Sequence, residues 1–312
     1  MIRVITSVLF FATLAPLFAV AQLHDSFYDV ELSVVPVAGR VHMIQRPDGF
    51  ANVGVFVGEE GVLLVDSQFE PHAEDLVSAV RKLSNGEIRF LINTHVHPDH
   101  IGGNAPLATG GVLIFAHDNM RVRMLERQSR FPRGNGEFFP QASVEARPFV
   151  TYDDRITFHF NGEEVRVFLA PPAHTDGDTF VHFPESDVLH LGDVFRTTSY
   201  PIIDVYNGGT LPGTIEALDL AISLTGPKTK VIPGHGVEVV GRQELIQFRD
   251  MTVDISRRVR DLIAEGKTLD EVMKARPTAA YDEQWGKEAS WTANDFVPVV
   301  YHQLGGGSLY ER

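Results

Sequence analysis

The stretch FLINTHVHPDHIGGN, Phe90–Asn104, concentrates metal-binding side chains more than any other part of the chain. His95, His97, Asp99 and His100 follow the apolar run IRFLIN, which is typical of a buried strand. His95 and His97 alternate along an extended segment, so both can point the same way. Because α/β proteins bind ligands where a strand ends and the chain turns, the stretch predicts a ligand site at the carboxyl end of a strand.

Composition limits the donors that such a site can use. The chain has 312 residues and no cysteine, so a metal would be held by imidazole and carboxylate groups, which suit zinc, iron or manganese. The same absence excludes disulfides and a thiolate nucleophile. With 41 acidic against 27 basic residues, the mean field repels DNA and RNA, and we predict no nucleic-acid partner.

The N-terminus has the pattern of an export signal. Met1–Arg3 give a short basic start, Val4–Phe18 are almost wholly apolar, and Ala19–Ala21 form a small-x-small site. We therefore expect residues 1–21 to be a signal peptide and the mature protein to be periplasmic or secreted. A retained membrane anchor is the weaker alternative, because the apolar run is short. No other stretch is long and apolar enough to cross a membrane, so no membrane association is expected after the leader is removed.

Hydrophobic periodicity predicts short strands and helices along the rest of the chain. A helix between Pro71 and Gly86 joins two apolar strands into a β–α–β unit that leads to the histidine cluster. Asn161–Gly162 fits the two-residue turn of a hairpin. From Arg242 onwards the pattern is helical, and helices are predicted near residues 243–265, 269–274 and 291–303.

Three further candidate ligands lie at strand ends or turns. His174 stands in PPAHTDGDT, Asp193 in LHLGDVF and His235 in VIPGHGVEV. Small neighbouring residues let the backbone approach a site closely. Each of the three could by itself be an ordinary turn residue. The four donors of the first cluster cannot easily share one small cation, so the larger set could serve two adjacent metals.

Four motifs in this order resemble those of the metallo-β-lactamase superfamily: THVHPDHIGGN, AHTDGDT, LGDVF and PGHG. The resemblance is to the branch with a bridging aspartate, as in glyoxalase II-like hydrolases, and covers roughly Val34–Val240. It implies a four-layer αββα sandwich with the metals at one edge of the two sheets. The expected catalytic domain spans residues 22–240, and a helical C-terminal extension, residues 241–312, packs on it.

The resemblance also implies the role of each ligand. A first zinc ion would be held by His95, His97 and His174, a second by Asp99, His100 and His235, and Asp193 would bridge both. Asp66 matches an early aspartate of the family that supports the site without ligating, although a strand-end turn carboxylate is the alternative. Two zinc ions per chain are therefore expected.

A site of this kind predicts a hydrolase that acts on a small molecule. Two zinc ions can activate a water for attack on a carbonyl group, and Asp99 would orient that water or relay its proton. Ester, thioester, lactone and amide bonds all fit, including a β-lactam. The alternatives are a β-lactamase proper, a mononuclear iron oxidoreductase similar to persulfide dioxygenases, and a zinc protein without catalysis. Asp193 as a bridge disfavours the first alternative, and His97 disfavours a diiron site.

Two segments are candidates for the walls of the site. Ser129–Gln141, with Phe131, Phe138 and Phe139, is either a substrate lid or a plain loop. Thr197–Gly209 follows Asp193, and its Tyr200 and Tyr206 are candidate substrate contacts. Of the remaining histidines, His117 and His190 are interpreted as structural.

Overall fold

The computed structural model describes residues 29–129 and 138–306, so the predicted signal peptide and Phe131 lie outside the described residues. The first sheet has seven strands in the order β1 (Ser33–Ala38), β2 (Val41–Gln45), β3 (Val53–Gly58), β4 (Gly61–Val65), β5 (Ile88–Ile92), β6 (Leu113–His117) and β9 (Val150–Tyr152). Neighbouring strands among β1, β2, β3 and β4 pair antiparallel. The remaining neighbours, β4–β5, β5–β6 and β6–β9, pair parallel.

Parallel neighbours need crossover connections, and each of the three in this sheet contains at least one helix. The predicted β–α–β unit is β4, α1 (Ala73–Leu83) and β5. The β5–β6 connection contains α2 (Pro98–Ile101) and α3 (Asn104–Thr109), and α4 (Asp118–Met124) follows β6. The short strands β7 (Gln128–Ser129) and β8 (Phe138–Phe139) pair antiparallel where the sequence predicted only a loop or lid.

The second sheet has five strands in sequence order: β10 (Arg155–Phe160), β11 (Glu163–Leu169), β12 (Thr179–Phe183), β13 (Val188–His190) and β14 (Lys230–Ile232). The β10–β11 hairpin turns at Asn161 and Gly162, which have φ angles of 54° and 76°, as the predicted turn requires. The last pair, β13 and β14, is parallel, and α5 (Leu211–Leu224) lies in its crossover.

Four helices follow the second sheet. Three of them lie close to the bounds that the periodicity predicts, and the remaining helix, Asp282–Trp285, was not predicted. They are α6 (Arg242–Ala264), α7 (Leu269–Ala275), α8 (Asp282–Trp285) and α9 (Ala293–Gln303). Thr268 and Thr292 begin α7 and α9 with capping boxes, in which the threonine and an acidic residue three positions later bond each other's backbone N–H. Within the described residues, no helix is long and apolar enough to cross a membrane.

Three apolar layers hold these elements together. Side chains from both sheets meet between them, including Met43 and Phe56 from the first and Val181 and Phe183 from the second. The outer face of the first sheet packs on α1. The outer face of the second sheet packs on α5, α6 and α9. Phe180 lies on this outer face, because neighbouring residues of a strand point to opposite sides and Val181 points inwards. The predicted four-layer αββα architecture is confirmed.

Candidate metal centre

The loop after β5 is fixed by buried amide side chains. Asn93 donates from Nδ2 to the carbonyl of His100 at 3.2 Å, and Asn104 donates to Asn93 Oδ1 at 2.8 Å. Ser67 donates from Oγ to Asn104 Oδ1 at 2.8 Å. A Cβ on Gly103 would lie 2.4 Å from the carbonyl oxygen of Ser67, which explains the glycine there as a close approach of two backbones. The histidine-bearing segment is therefore held from both ends.

All seven predicted ligand side chains meet at one edge of the two sheets. Their donor atoms form three groups within 4.8 Å: His95, His97 and His174; His95, His100 and Asp193; and Asp99, His100 and His235. The first and last groups are the two ligand sets that the resemblance implies. Asp193 belongs to the group that lies between them, which is where a bridging carboxylate would stand.

In the first group the inner nitrogens face one another and the outer nitrogens are bound. His174 Nε2 lies 2.8 Å from His97 Nδ1, and His95 Nε2 is buried without a hydrogen-bond partner among the described residues. On the outside, His174 Nδ1 donates to the carbonyl of Ile202 at 2.6 Å, and His97 Nε2 lies 2.8 Å from Asp204 Oδ2. These outer bonds fix the ring orientations that direct the inner nitrogens at a shared point.

The second group places two histidines against two carboxylates. His235 Nε2 lies 3.2 Å from Asp99 Oδ2 and from Asp193 Oδ2, and His100 Nε2 lies 3.2 Å from Asp193 Oδ1. A Cβ on Gly234 would lie 2.0 Å from that Oδ1 atom, so the glycine leaves room for the carboxylate. Asp193 Oδ1 is buried without a hydrogen-bond partner in the described part of the chain.

Asp66 supports the ligands from behind, as its place in the sequence suggested. The fully buried carboxylate accepts from the backbone N–H and the hydroxyl of Thr94, both at 2.7 Å, and lies 2.7 Å from His100 Nδ1. The same Thr94 hydroxyl lies 3.0 Å from His95 Nδ1. Asp66 therefore orients ligands of both groups.

The site's electrostatics put two imidazoles and both carboxylates in the forms that bind cations. Burial lowers the pKa of His95 well below its usual value, and burial with His97 nearby lowers the pKa of His174 to about 4. Burial opposes ionisation of Asp99 and Asp193, but the adjacent histidines hold both pKa values well below the usual range. Neutral imidazoles and ionised carboxylates are the forms that ligate a metal. For His97, His100 and His235, burial lowers the pKa but the neighbouring carboxylates outweigh it and raise the pKa above its usual value.

These residues fit a pair of transition-metal ions. Such a site requires inner donor atoms that are buried and have no hydrogen-bond partner in the described residues, as His95 Nε2 and Asp193 Oδ1 are. It also requires that the outer nitrogens bind the protein and that all donors are nitrogen or oxygen atoms, as is the case here. Zinc accepts histidine and carboxylate ligands of this kind.

A cavity of about 230 Å³ opens onto the centre and is mostly apolar. Its lining includes Phe50, Phe69, Phe139 and Trp291. Phe50 packs edge-on against His235 with ring centroids 4.7 Å apart, and Phe69 lies 6.1 Å from Phe50. Phe139, from the predicted lid or loop segment, lies at the cavity wall. The choice between a lid and a plain loop stays a prediction.

Comparison with known proteins decides the family. The sequence model described as the metallo-beta-lactamase superfamily matches residues 46–235. The chain belongs to this superfamily. Its four motifs, its two-sheet fold and its histidine–aspartate centre are thus features of one family, and the predicted resemblance is confirmed.

Similar proteins in the superfamily have different activities. The 2,4-dinitroanisole O-demethylase subunit alpha of Nocardioides sp. (strain JS1661) is 26% identical to this chain. The similarity covers 90% of this chain and 83% of the length of the demethylase subunit. The linear primary-alkylsulfatase of Pseudomonas sp. (strain ATCC 19151) is 23% identical over 78% of this chain, which spans only about half, 53%, of that enzyme. A metallo-beta-lactamase structure from Pontibacter korlensis matches 72% of this chain and 99% of its own with a TM-score of 0.59 at 18% identity, which shows the shared fold.

Some residues of this superfamily centre were not predicted from the sequence. The sequence did not single out Asp204, Arg196 or Glu288. Arg196 directly follows the LGDVF motif and Asp204 lies in the candidate wall segment, but their contacts with the centre or its cavity arise only through the tertiary fold. For Asp204, the one local signal is a carboxylate after two apolar residues in a turn.

The expected substrate contact of Tyr200 was wrong, and that of Tyr206 stays a prediction. Tyr200 is fully buried, stacks on Phe296 with centroids 5.4 Å apart and donates its hydroxyl to Asp282 at 2.7 Å. The apolar segment around Tyr200 packs it onto α9, away from the cavity. Tyr206 is 41% exposed and is not among the residues that line the cavity.

The two histidines interpreted as structural lie outside the donor groups. His117 accepts at Nδ1 from the backbone N–H of Asn119 at 3.1 Å and so caps α4. His190 is fully buried in β13 and accepts at Nδ1 from the backbone N–H of Gly192 at 3.2 Å.

Proposed function

We propose that this superfamily member is a dinuclear zinc hydrolase that cleaves an ester, thioester, lactone or amide bond in a small, largely apolar molecule. The observation that carries the proposal is the convergence of unpartnered buried donors with two ionised carboxylates at the floor of an aromatic cavity. His95, His97 and His174 would hold one zinc ion, Asp99, His100 and His235 the other, with Asp193 between them.

Two such ions would supply Lewis acidity for a carbonyl oxygen and would lower the pKa of a bound water. The chain's own residues complete the chemistry. Asp99 lines the cavity and is the ligand carboxylate best placed to orient the attacking water and accept its proton. Phe50 and Phe69 exclude bulk water beside His235, which strengthens electrostatic interactions within the cavity.

The charges of the cavity favour a neutral substrate. Among the described lining residues Arg196 is the only lysine or arginine, and it is ion-paired with Glu288 at 3.2 Å. A sulfate ester or a carboxylate-bearing β-lactam would find no unpaired cation on these walls. A neutral acyl compound with an aromatic or aliphatic body fits better, so we rank the β-lactamase alternative lower.

A second candidate is hydrolysis of an activated aryl methyl ether to a phenol and methanol. The O-demethylase subunit is similar over 90% of this chain, and the aromatic lining suits a flat ring. Water attack at the ring carbon needs the same activated water and no redox cofactor. An iron centre with oxidoreductase activity remains the alternative that metal analysis separates from both.

A substrate panel with the zinc-loaded protein tests the proposal. The panel contains phenyl acetate, a phenyl thioester, an aliphatic lactone, nitrocefin and 2,4-dinitroanisole. We expect turnover of a neutral acyl compound that a chelator abolishes and added zinc restores. Turnover of 2,4-dinitroanisole alone would favour the second candidate, and chelator-resistant activity or iron in the purified protein would contradict the zinc hydrolase.

We also propose that the protein acts in the periplasm or outside the cell. The N-terminal pattern supports export, since an apolar run ends in the small residues Ala19–Ala21. N-terminal sequencing of the protein from its native cells should find Gln22 first. A mature protein that keeps Met1 would contradict the export proposal.

A further inference from the structure

One ion pair on the cavity wall joins the metal centre to the segment between α8 and α9. Arg196 is 1% exposed, and its Nη2 atom donates to Glu288 Oε2 at 3.2 Å. Its Nη1 atom lies 3.8 Å from Asp193 Oδ2, and its Nε atom is buried without a hydrogen-bond partner among the described residues. The guanidinium therefore lies next to the reacting centre with donors that Glu288 does not use.

Glu288 is itself held firmly in place. Thr198 donates to Glu288 Oε2 at 2.8 Å, and Ser290 donates to Glu288 Oε1 at 2.7 Å. Burial opposes ionisation, but Arg196 and these hydroxyls lower the pKa of Glu288, so the carboxylate is charged at neutral pH. The pair thus contributes no net charge to the wall that it shares with Asp99.

We propose that Glu288 is a specificity-determining residue that neutralises Arg196 and so excludes substrates with an anionic group near the bond that is cleaved. This inference rests on the proposed hydrolase function. Arg196 alone would attract a carboxylate, because a buried guanidinium offers charge-assisted and bidentate hydrogen bonds. With Glu288 in place, an anionic group meets a fixed like charge.

The test compares two esters that differ in one charge. They are 3-carboxyphenyl acetate and 3-carbamoylphenyl acetate, which have the same shape and a similar leaving group. The readout is the ratio of kcat/KM for the carboxylate to kcat/KM for the amide, so intrinsic reactivity cancels between enzyme variants. Glu288→Gln preserves the size of the side chain and removes its charge. We expect the ratio to rise about 10- to 100-fold, the range for a hydrogen bond between charged groups.

Two further variants make the result specific. Arg196→Met combined with Glu288→Gln should return the ratio to the wild-type value, because the attracting guanidinium is gone. Glu283→Gln removes the same charge from an exposed position of α8 and should leave the ratio at the wild-type value. An unchanged ratio in Glu288→Gln, or an increase that persists in the double variant, would overturn the inference.

A binding measurement separates this inference from the function on which it rests. If zinc-loaded wild type cleaves neither ester, the proposed hydrolysis of such substrates fails. The Kd values of isophthalate and 3-carbamoylbenzoate, measured by titration calorimetry, still test Glu288, since each ligand has one carboxylate for the metals and differs in the second group. Glu288→Gln should favour isophthalate by about 10-fold or more relative to wild type. Equal preference in both proteins would contradict the role of Glu288.

Discussion

At the scale of single residues, the centre depends on partners behind its ligands. Asp204 is 1% exposed, accepts from the side chain of Asn207 at 2.7 Å and holds His97 through its outer nitrogen. Burial lowers the pKa of His97, but the hydrogen bond to Asp204 outweighs this effect and raises the pKa above its usual value. The imidazole is therefore a more basic donor. Asp204 thus controls both the direction and the strength of one donor.

We predict that Asp204→Asn weakens zinc binding at the first position about tenfold, the lower end for the loss of such a partner. Asparagine keeps the size and can still accept a hydrogen bond, but it lacks the charge. Zinc retained after dialysis against graded chelator concentrations measures the effect. Asp261→Asn, on the exposed face of α6, is the matched control and should bind zinc as wild type does. Equal retention in both variants would contradict the role of Asp204.

The buried imidazole of His190 makes a separate prediction for pH. Burial lowers the pKa of His190 to about 4 in the folded protein, whereas a histidine in an unfolded chain has a pKa of about 6.5. The unfolded state therefore binds the proton first, and this residue's contribution to stability, full above about pH 6.5, is lost as pH falls towards about 4. Between pH 7 and 5 the loss is about 2 kcal/mol.

Urea unfolding of wild type and His190→Gln at both pH values tests this prediction. Glutamine does not titrate, so the free-energy difference between the two proteins should change by about 2 kcal/mol in favour of the variant at pH 5. A difference that is the same at pH 7 and pH 5 would mean that folding does not shift the pKa of His190.

Residue patterns predicted the side chains that meet at the centre better than the residues that support them. One short motif after an apolar strand contains His95, His97, Asp99 and His100. Their close spacing at the end of a strand is what indicated a ligand site. Asp204 reaches His97 across 107 positions of sequence, and the bond depends on how the two loops pack. A single carboxylate in a turn has no local pattern that reveals such a partner.

At the scale of elements, the β10–β11 hairpin joins the two sheets at its turn. Asn161 accepts at Oδ1 from the backbone N–H of Glu60 at 3.0 Å and donates from Nδ2 to the carbonyl of Gly61 at 3.1 Å, both in the β3–β4 turn. Gly162 has φ of 76°, and a Cβ there would meet nothing within 4 Å. The two turn residues therefore differ in contacts but share a left-handed backbone.

This difference predicts unequal costs for two alanine substitutions. Gly162→Ala should destabilise the fold by about 1 kcal/mol, from backbone conformation alone. Asn161→Ala should cost about 2–3 kcal/mol, because the buried amide side chain also loses its two hydrogen bonds. Urea unfolding at constant pH measures both values. Equal costs would mean that the bonds to the β3–β4 turn contribute nothing.

Local elements were predictable because their signals are local. The β–α–β unit before the histidines, the Asn161–Gly162 turn and the C-terminal helices follow from periodicity and caps. The burial of Tyr200 and the β7–β8 pair did not follow, since each depends on contacts with distant segments. The αββα layer order came from the resemblance, because strand patterns alone do not say which strands pair.

At the scale of the whole molecule, the centre joins the two halves of the fold. His95, His97, Asp99 and His100 follow a strand of the first sheet, whereas His174, Asp193 and His235 lie in connections of the second. A cation bound by both sets therefore links the sheets, and its binding energy adds to folding stability.

We predict that removing both zinc ions lowers the free energy of unfolding by about 5–8 kcal/mol, or about 3–4 kcal/mol per ion, when free zinc had been 100 to 1,000 times the Kd of each site. Scanning calorimetry of the metal-free and zinc-loaded protein measures the change. The loss should reverse when zinc is added back. A melting temperature that does not depend on zinc would mean that the metal does not link the two halves.

The most direct measurement is the metal content of the purified chain by inductively coupled plasma mass spectrometry, beside His97→Ala and Asp193→Ala. We predict about two zinc ions per wild-type chain and clearly less zinc in each variant, as a two-metal site built from these ligands requires. Wild type without bound metal, or both variants with full zinc content, would contradict the assignment of this centre.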